Sequence, residues 1–210
     1  STRLYGGTVT QFNQTIKRFG WSAKFVDFDD LDALQNAIDE NTRAIFCEAI
    51  ANPGGYITDL QAISSISDKA GLPLIVDNTT ATPYLCRPIE YGATLVVHST
   101  TKYMTGNGTV TGGCIVDSGK FDWSANQKFP SLSEPEPAYH GLRFHETFGS
   151  LAFTFHGIAV GLRDRFDRDV MEFFAGRLQL FEERSCVLFL LLRHLIVMLR
   201  NPAIFEGLLH

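Results

Sequence analysis

The sequence predicts an α/β fold in which a mostly parallel sheet is covered by helices on both faces. Three observations carry that expectation. Short, nearly continuous apolar runs (AIFC, PLIV, TLVV, GCIV) recur along the chain, as in strands buried on both faces. Segments of helical period lie between the earlier ones. Charged, amide and hydroxyl residues directly follow the runs, where an open α/β sheet places its ligands. At about 150 residues per domain, the 210 residues make one substantial domain with an appendage.

Each element has a local reason. Residues 10–19 read as a helix ended by Gly20, and residues 23–28 alternate as a strand. Asp29 and Asp30 can cap a helix whose apolar face holds Leu31, Leu34 and Ile38. Residues 44–47 form the next strand, closing on Glu48. Asp59 caps a helix with Leu60, Ile63 and Ile66 inward, stopped by Gly71. Residues 73–77 are a buried strand that opens on a tolerated proline. Residues 94–98 and 113–116 complete the strands. Residues 131–137 (SLSEPEP) read as an ordered or semi-extended loop.

Composition narrows the function classes. Hydrophobic residues at 45% and charged residues at 20% fit a core-forming soluble chain and not a disordered or fibrous one. The net charge of −5 offers no global basic field for nucleic acid or anionic lipid. Cys47, Cys86, Cys114 and Cys186 are widely spaced with no CxxC pair, which argues against a zinc cage and fits a reducing cytoplasm. The most apolar run, residues 186–199, is interrupted by Arg193 and His194 and is too short to span a bilayer. Neither GxGxxG nor GxxxxGK[ST] occurs. His140, His145 and Glu146 have the residue types of metal ligands but not the HExxH spacing, so no metal site is assigned.

The chemistry concentrates after the strands. Glu48 and Ala51-Asn52-Pro53-Gly54-Gly55 follow the second, Asp77-Asn78-Thr79-Thr80 the third, and His98-Ser99-Thr100-Thr101-Lys102 the fourth. A lysine just past a buried strand can be partly desolvated, which favours a nucleophilic neutral amine. A snorkelling structural lysine is the competing reading. Ser99 and Thr101 can offer hydroxyls to a phosphate, or simply build the turn. Asp77 can hold a pyridine nitrogen protonated and so make a ring an electron sink, or cap its own turn.

The stretches LYGGT, ANPGG, LPLIVDNTTATPYLCRPIEYGA, VVHSTTKY and EPEPAYHGLRFHETFG together resemble the Cys/Met-metabolism pyridoxal-phosphate enzymes, the trans-sulfuration family. The resemblance spans about residues 1–164. It implies the large domain of fold-type I pyridoxal-phosphate enzymes over that range. It also implies γ-replacement on O-acetylhomoserine with sulfide or a thiol, giving homocysteine or methionine in amino-acid biosynthesis. Cystathionine γ-synthase or methionine γ-lyase chemistry, or a non-catalytic remnant of the family, are the alternatives. By the same resemblance Lys102 carries pyridoxal 5′-phosphate covalently and moves protons. Asp77 faces its ring nitrogen, while Ser99 and Thr101 contact its phosphate. Tyr5 stacks on the ring and assists proton transfer, and Asn52 lies near the phenolic oxygen and the substrate carboxylate. A homodimer or homotetramer is the implied assembly. The family's usual HSATK and glycine-histidine-glycine stretches stand here as HSTTK and Gly106-Asn107-Gly108, so Thr100 and Asn107 are departures.

The two ends of the sequence read differently. Ser1 in place of an initiator methionine suggests an N-terminal truncation. An earlier phosphate-binding turn and a carboxy-terminal domain with a substrate-binding arginine, both implied by the resemblance, do not fall within these residues. The chain alone is therefore expected to turn over substrate poorly. Residues 1–150 hold all 6 lysines, whereas residues 151–210 hold 7 arginines and 8 of the 17 phenylalanines. Residues 165–210 are accordingly expected to be a helical tail outside the family pattern. A reading-frame shift after Asp164 or a second structural unit would each produce that change.

Overall fold

A computed structural model describes residues 1–164. The expected helical tail, with Phe173, Phe174, Leu178 and Phe181, lies outside the described residues. A helical stretch opens the chain as α1 (Gly6–Thr10), widens over Gln11–Thr15 and tightens over Ile16–Phe19 before Gly20. It starts earlier than the expected helix of residues 10–19, and it ends where expected. In α2 (Leu31–Ala37) the Asp30 carboxylate accepts from the Ala33 amide at 2.8 Å. In α3 (Leu60–Lys69) Asp59 does the same for Ala62 at 3.0 Å. Both caps satisfy donors that a first turn leaves unpaired.

Four strands form one sheet in the order β1 (Ile45–Glu48), β2 (Leu74–Asp77), β3 (Leu95–His98), β4 (Cys114–Asp117). The β1–β2 and β2–β3 pairs are parallel, and β4 runs antiparallel at the edge. Glu48 lies opposite Asp77 in the register, so the two carboxylates end adjacent strands. The short α4 (Thr82–Leu85), α5 (Pro130–Ser133), α6 (Phe144–Phe148) and α7 (Ala152–His156) complete the regular elements, with wider turns over Gly157–Asp164.

Alternation along the strands divides the apolar side chains between two cores. Ile45, Cys47, Leu74, Val76 and Val96 join Leu34 of α2 and Leu60, Ile63 and Ile66 of α3. Ile75 and Leu95 face the other way, toward Trp123, Leu132, Phe144 and Ala152. There Trp123 stacks on Phe153 with ring centroids 5.3 Å apart. On that same face of β1, Phe46 meets Phe12 edge-on at 5.0 Å, which docks the first helical stretch against the sheet.

Two expectations need correction. Residues 23–28 form no strand. Thr2 donates to the Val26 carbonyl at 2.9 Å, and Val26 and Phe28 pack against the first core. The alternating pattern is thus met by burial alone, because one hydrogen bond does not make a ladder. Residues 131–137 are not a loop throughout. Pro130 supplies a first helical position that needs no amide partner, and α5 buries Leu132.

Gly92 has φ +93°, and a Cβ there would stand 2.6 Å from Ser64 Oγ on α3. Gly92→Ala should therefore cost at least about 1–3 kcal/mol, combining left-handed strain with overpacking. Urea unfolding should show a lower midpoint at unchanged slope. Adding Ser64→Gly should recover the packing part of the loss and leave the backbone part.

Candidate active site

The carboxyl ends of β1, β2 and β3 and the turns beyond them bring most of the sequence-predicted residues to one sheet edge. Order there comes from side chains that bind neighbouring backbone. Asp77 Oδ1 accepts from the Thr79 amide at 2.9 Å, and Thr79 Oγ1 accepts from the Ser99 amide at 2.8 Å. The loops after β2 and β3 are thereby tied together. The Asn78 amide donates to the Val97 carbonyl at 2.9 Å, extending the pairing one residue past β2.

Three groups at this edge remain open. Asp77 Oδ2, Ser99 Oγ and Lys102 Nζ make no hydrogen bond or ion pair among the described residues. Asp77 and Ser99 are half-buried, but Lys102 is exposed, so the desolvation expected of a lysine past a buried strand is not present. The Lys102 amide donates to the Ser99 carbonyl at 3.2 Å, and the Gly106 amide to the Lys102 carbonyl at 3.0 Å. Lys102 thus stands in a compact turn, held by backbone bonds on both sides.

Thr101 is occupied differently. Its hydroxyl accepts from the Gly112 amide at 2.8 Å and donates to the Gly112 carbonyl at 3.2 Å. This pins the turn to the segment entering β4. A phosphate contact from Thr101 would require giving up one of these bonds.

Tyr5 and Asn52 are both exposed, yet their backbones share an anchor. The Tyr5 amide donates to Glu48 Oε1 at 2.6 Å and the Asn52 amide to Glu48 Oε2 at 2.8 Å. Thr58 Oγ1 donates to the Glu48 carbonyl at 2.6 Å. Glu48 itself is only 4% exposed. Burial pushes its carboxyl above the usual range, the two amides oppose that shift, and nearby Asp77 adds to it. His98 is also buried. Burial lowers its imidazole, against a smaller raising effect of Asp77.

Sequence reasoning placed Glu48 and Thr79 after their strands without giving either a role, and it missed Gly112. Glu48 carried the same signal that singled out Asp77, a carboxylate closing an apolar strand. Thr79 and Gly112 carried none. Of the histidines considered for a metal, His145 Nε2 lies 3.0 Å from Asp122 Oδ1, and no group of three or more ligand-type residues gathers among the described residues. No helix among them is long and apolar enough to cross a membrane.

The family described as Cys/Met metabolism PLP-dependent enzyme matches residues 1–154. Homocysteine synthase from Schizosaccharomyces pombe is 50% identical over 163 residues, covering 77% of this chain and 38% of that protein. Homocysteine/cysteine synthase from Saccharomyces cerevisiae is 46% identical, covering 77% and 37%. O-acetyl-L-homoserine sulfhydrylase from Leptospira meyeri is 41% identical, covering 78% and 39%. The chain thus spans less than two fifths of the length of these relatives. Among solved structures, an O-acetylhomoserine (thiol)-lyase from Campylobacter jejuni superposes with a TM-score of 0.75 at 38% identity, over 78% of this chain and 40% of that one. That neighbour contains N′-pyridoxyl-lysine-5′-monophosphate.

Proposed function

Because the chain belongs to the Cys/Met-metabolism pyridoxal-phosphate-dependent enzyme family, we propose that it is the cofactor-binding portion of an O-acetylhomoserine sulfhydrylase. In that reaction the Cγ–O bond of O-acetylhomoserine breaks, acetate leaves, and sulfide or a thiol forms the new Cγ–S bond, giving homocysteine or methionine. The observation that carries the reading is the set of three open groups at the sheet edge. An amine, a carboxylate oxygen and a hydroxyl match in kind the aldehyde, the ring nitrogen and the phosphate of the cofactor. The names of the relatives and the pyridoxyl-lysine in the structural neighbour support the same choice.

When bound, pyridoxal phosphate supplies an electron sink for negative charge developing on the substrate. The chain's own residues would do the rest. Lys102 Nζ would hold the cofactor and, once the substrate amine displaces it, carry protons between substrate carbons. Asp77 Oδ2 would keep a proton on the ring nitrogen. Ser99 Oγ would donate to the phosphate, and Thr101 would join it by releasing one Gly112 bond. Tyr5 would cover the ring, and Asn52 would face the phenolic oxygen and the substrate carboxylate. The three described cysteines are free thiols, which supports a cytoplasmic setting. Tyr84 at 92% and Leu85 at 69% exposed support a homo-oligomer that covers this face.

The test compares release of acetate, succinate and methanethiol from O-acetylhomoserine, O-succinylhomoserine and methionine. The longest form of the protein that contains this chain should be used, loaded with pyridoxal phosphate and supplied with sulfide. Acetate release matched by homocysteine formation is the expected result. Dominant release of succinate or methanethiol would move the assignment to the synthase or lyase branch.

A further inference from the structure

We propose that Glu48 is a positioning residue whose two carboxylate oxygens hold Tyr5 and Asn52 in register over the cofactor edge. The inference rests on the cofactor reading above for its consequence, and on the hydrogen bonds alone for the clamp. Tyr5 N to Oε1 is 2.6 Å and Asn52 N to Oε2 is 2.8 Å. The partners come from opposite directions in sequence, 43 residues before and 4 residues after. Neither Tyr5 nor Asn52 is held by burial of its own side chain, since both are exposed. Their placement therefore depends on backbone anchors. Three further bonds fix the Asn52 loop: Ala51 N to Tyr56 O at 2.8 Å, Gly55 N to Ala51 O at 2.9 Å and Thr58 N to Ala49 O at 3.1 Å. None of them reaches across to Tyr5. Glu48 does.

The residue type is dictated by the arrangement. Two amides converge on one side chain, so it must accept at both ends. A carboxylate does so, whereas a glutamine would aim an N–H at one of the amides. The position is also enforced. Glu48 ends β1 beside Asp77 in the register, its carbonyl accepts from Thr58 Oγ1, and its burial leaves the oxygens little choice of partner. Amides that donate to a carboxylate make charge-assisted bonds, stronger than neutral ones.

Amide hydrogen exchange without cofactor reads the clamp directly. In the unmodified chain the Tyr5 and Asn52 amides should exchange at least about tenfold more slowly than those of Gly6 and Gly54, which have no acceptor among the described residues. Glu48→Gln should erase that protection at one of the two amides. It should also weaken pyridoxal-phosphate binding by about tenfold or more. Gly92→Ala provides the control, because it lowers stability through the clash with Ser64 on α3 and leaves the Glu48 carboxylate and its anchors in place. It should lower the unfolding midpoint and leave both amides and cofactor affinity unchanged.

Equal exchange at Tyr5, Asn52, Gly6 and Gly54 in the unmodified chain would overturn the clamp, whether or not Glu48→Gln folds. Cofactor affinity that tracks the unfolding midpoint equally in both variants would reduce Glu48 to a structural role and overturn the positioning assignment. An unmodified chain that takes no borohydride-trapped label on Lys102 would refute the cofactor reading instead, and the exchange experiment would still decide the clamp.

Discussion

Lys102→Ala should leave a chain that takes no specific label when incubated with pyridoxal phosphate, reduced with borohydride and mapped by peptide mass. The unmodified chain should be labelled at Lys102. The expectation has a simple chemical basis. Borohydride fixes only a carbonyl already condensed with an amine, and Lys102 Nζ is the lysine amine at the edge that also carries open oxygens on Asp77 and Ser99. The other described lysines are engaged or stand elsewhere. Lys24 pairs with Asp39 at 2.6 Å, and Lys128 donates to the Thr42 carbonyl at 3.0 Å. Because Lys102 is exposed and its side chain supports no core contact, the variant should unfold at the same urea concentration as the parent. Loss of label at unchanged stability would isolate a chemical role from a structural one. Persistent label on another lysine would refute the site.

Asp77→Asn should weaken cofactor binding by about 10–100-fold, since one charge-assisted bond contributes roughly 1.5–3 kcal/mol. It should also slow exchange of the substrate α-proton with solvent by about 10²–10³-fold, the usual cost of removing one preorganised electrostatic partner. Asp77→Ala should do more. Asp77 Oδ1 accepts from Thr79, and Thr79 in turn accepts from Ser99, so alanine releases the loop that presents Ser99 as well as the charge. Asparagine keeps an acceptor for Thr79 and loses only the charge. Asp77→Glu should preserve part of both effects. Isothermal titration with pyridoxal phosphate and proton exchange followed by NMR would read the two quantities separately. Parental behaviour of the Asn variant with loss confined to the Ala variant would show that Asp77 serves the turn and not the ring nitrogen.

Much of this was legible residue by residue. The caps at Asp30 and Asp59 are local devices, each closed by a bond to an amide three residues on. The four apolar runs became strands within a residue of their expected limits. The edge carrying Asp77, Ser99, Thr101 and Lys102 followed from the rule that open parallel sheets present their ligands at strand carboxyl ends. Residues 23–28 failed for an instructive reason. Their alternation records one buried side, which a strand and a segment lying against a core share, and only a neighbouring ladder separates the two. In residues 131–137 the proline before the segment favoured a helical start that the loop-like composition concealed.

What the sequence determined by itself is therefore the four sheet strands, the capped helices α2 and α3, the sheet edge and the chemical types gathered there. Periodicity, caps and strand-end residues act over a few positions and can be read without the fold. Tertiary structure decided which groups are free and which are spent. Thr101 Oγ is taken by Gly112, 11 residues away, the Ser99 amide by Thr79, 20 residues away, and the Tyr5 amide by Glu48, 43 residues away. A buried acceptor must find a donor, but nothing local says which one. That choice is made when the parallel strands bring distant loops to the same edge, and there it leaves Lys102, Asp77 and Ser99 open.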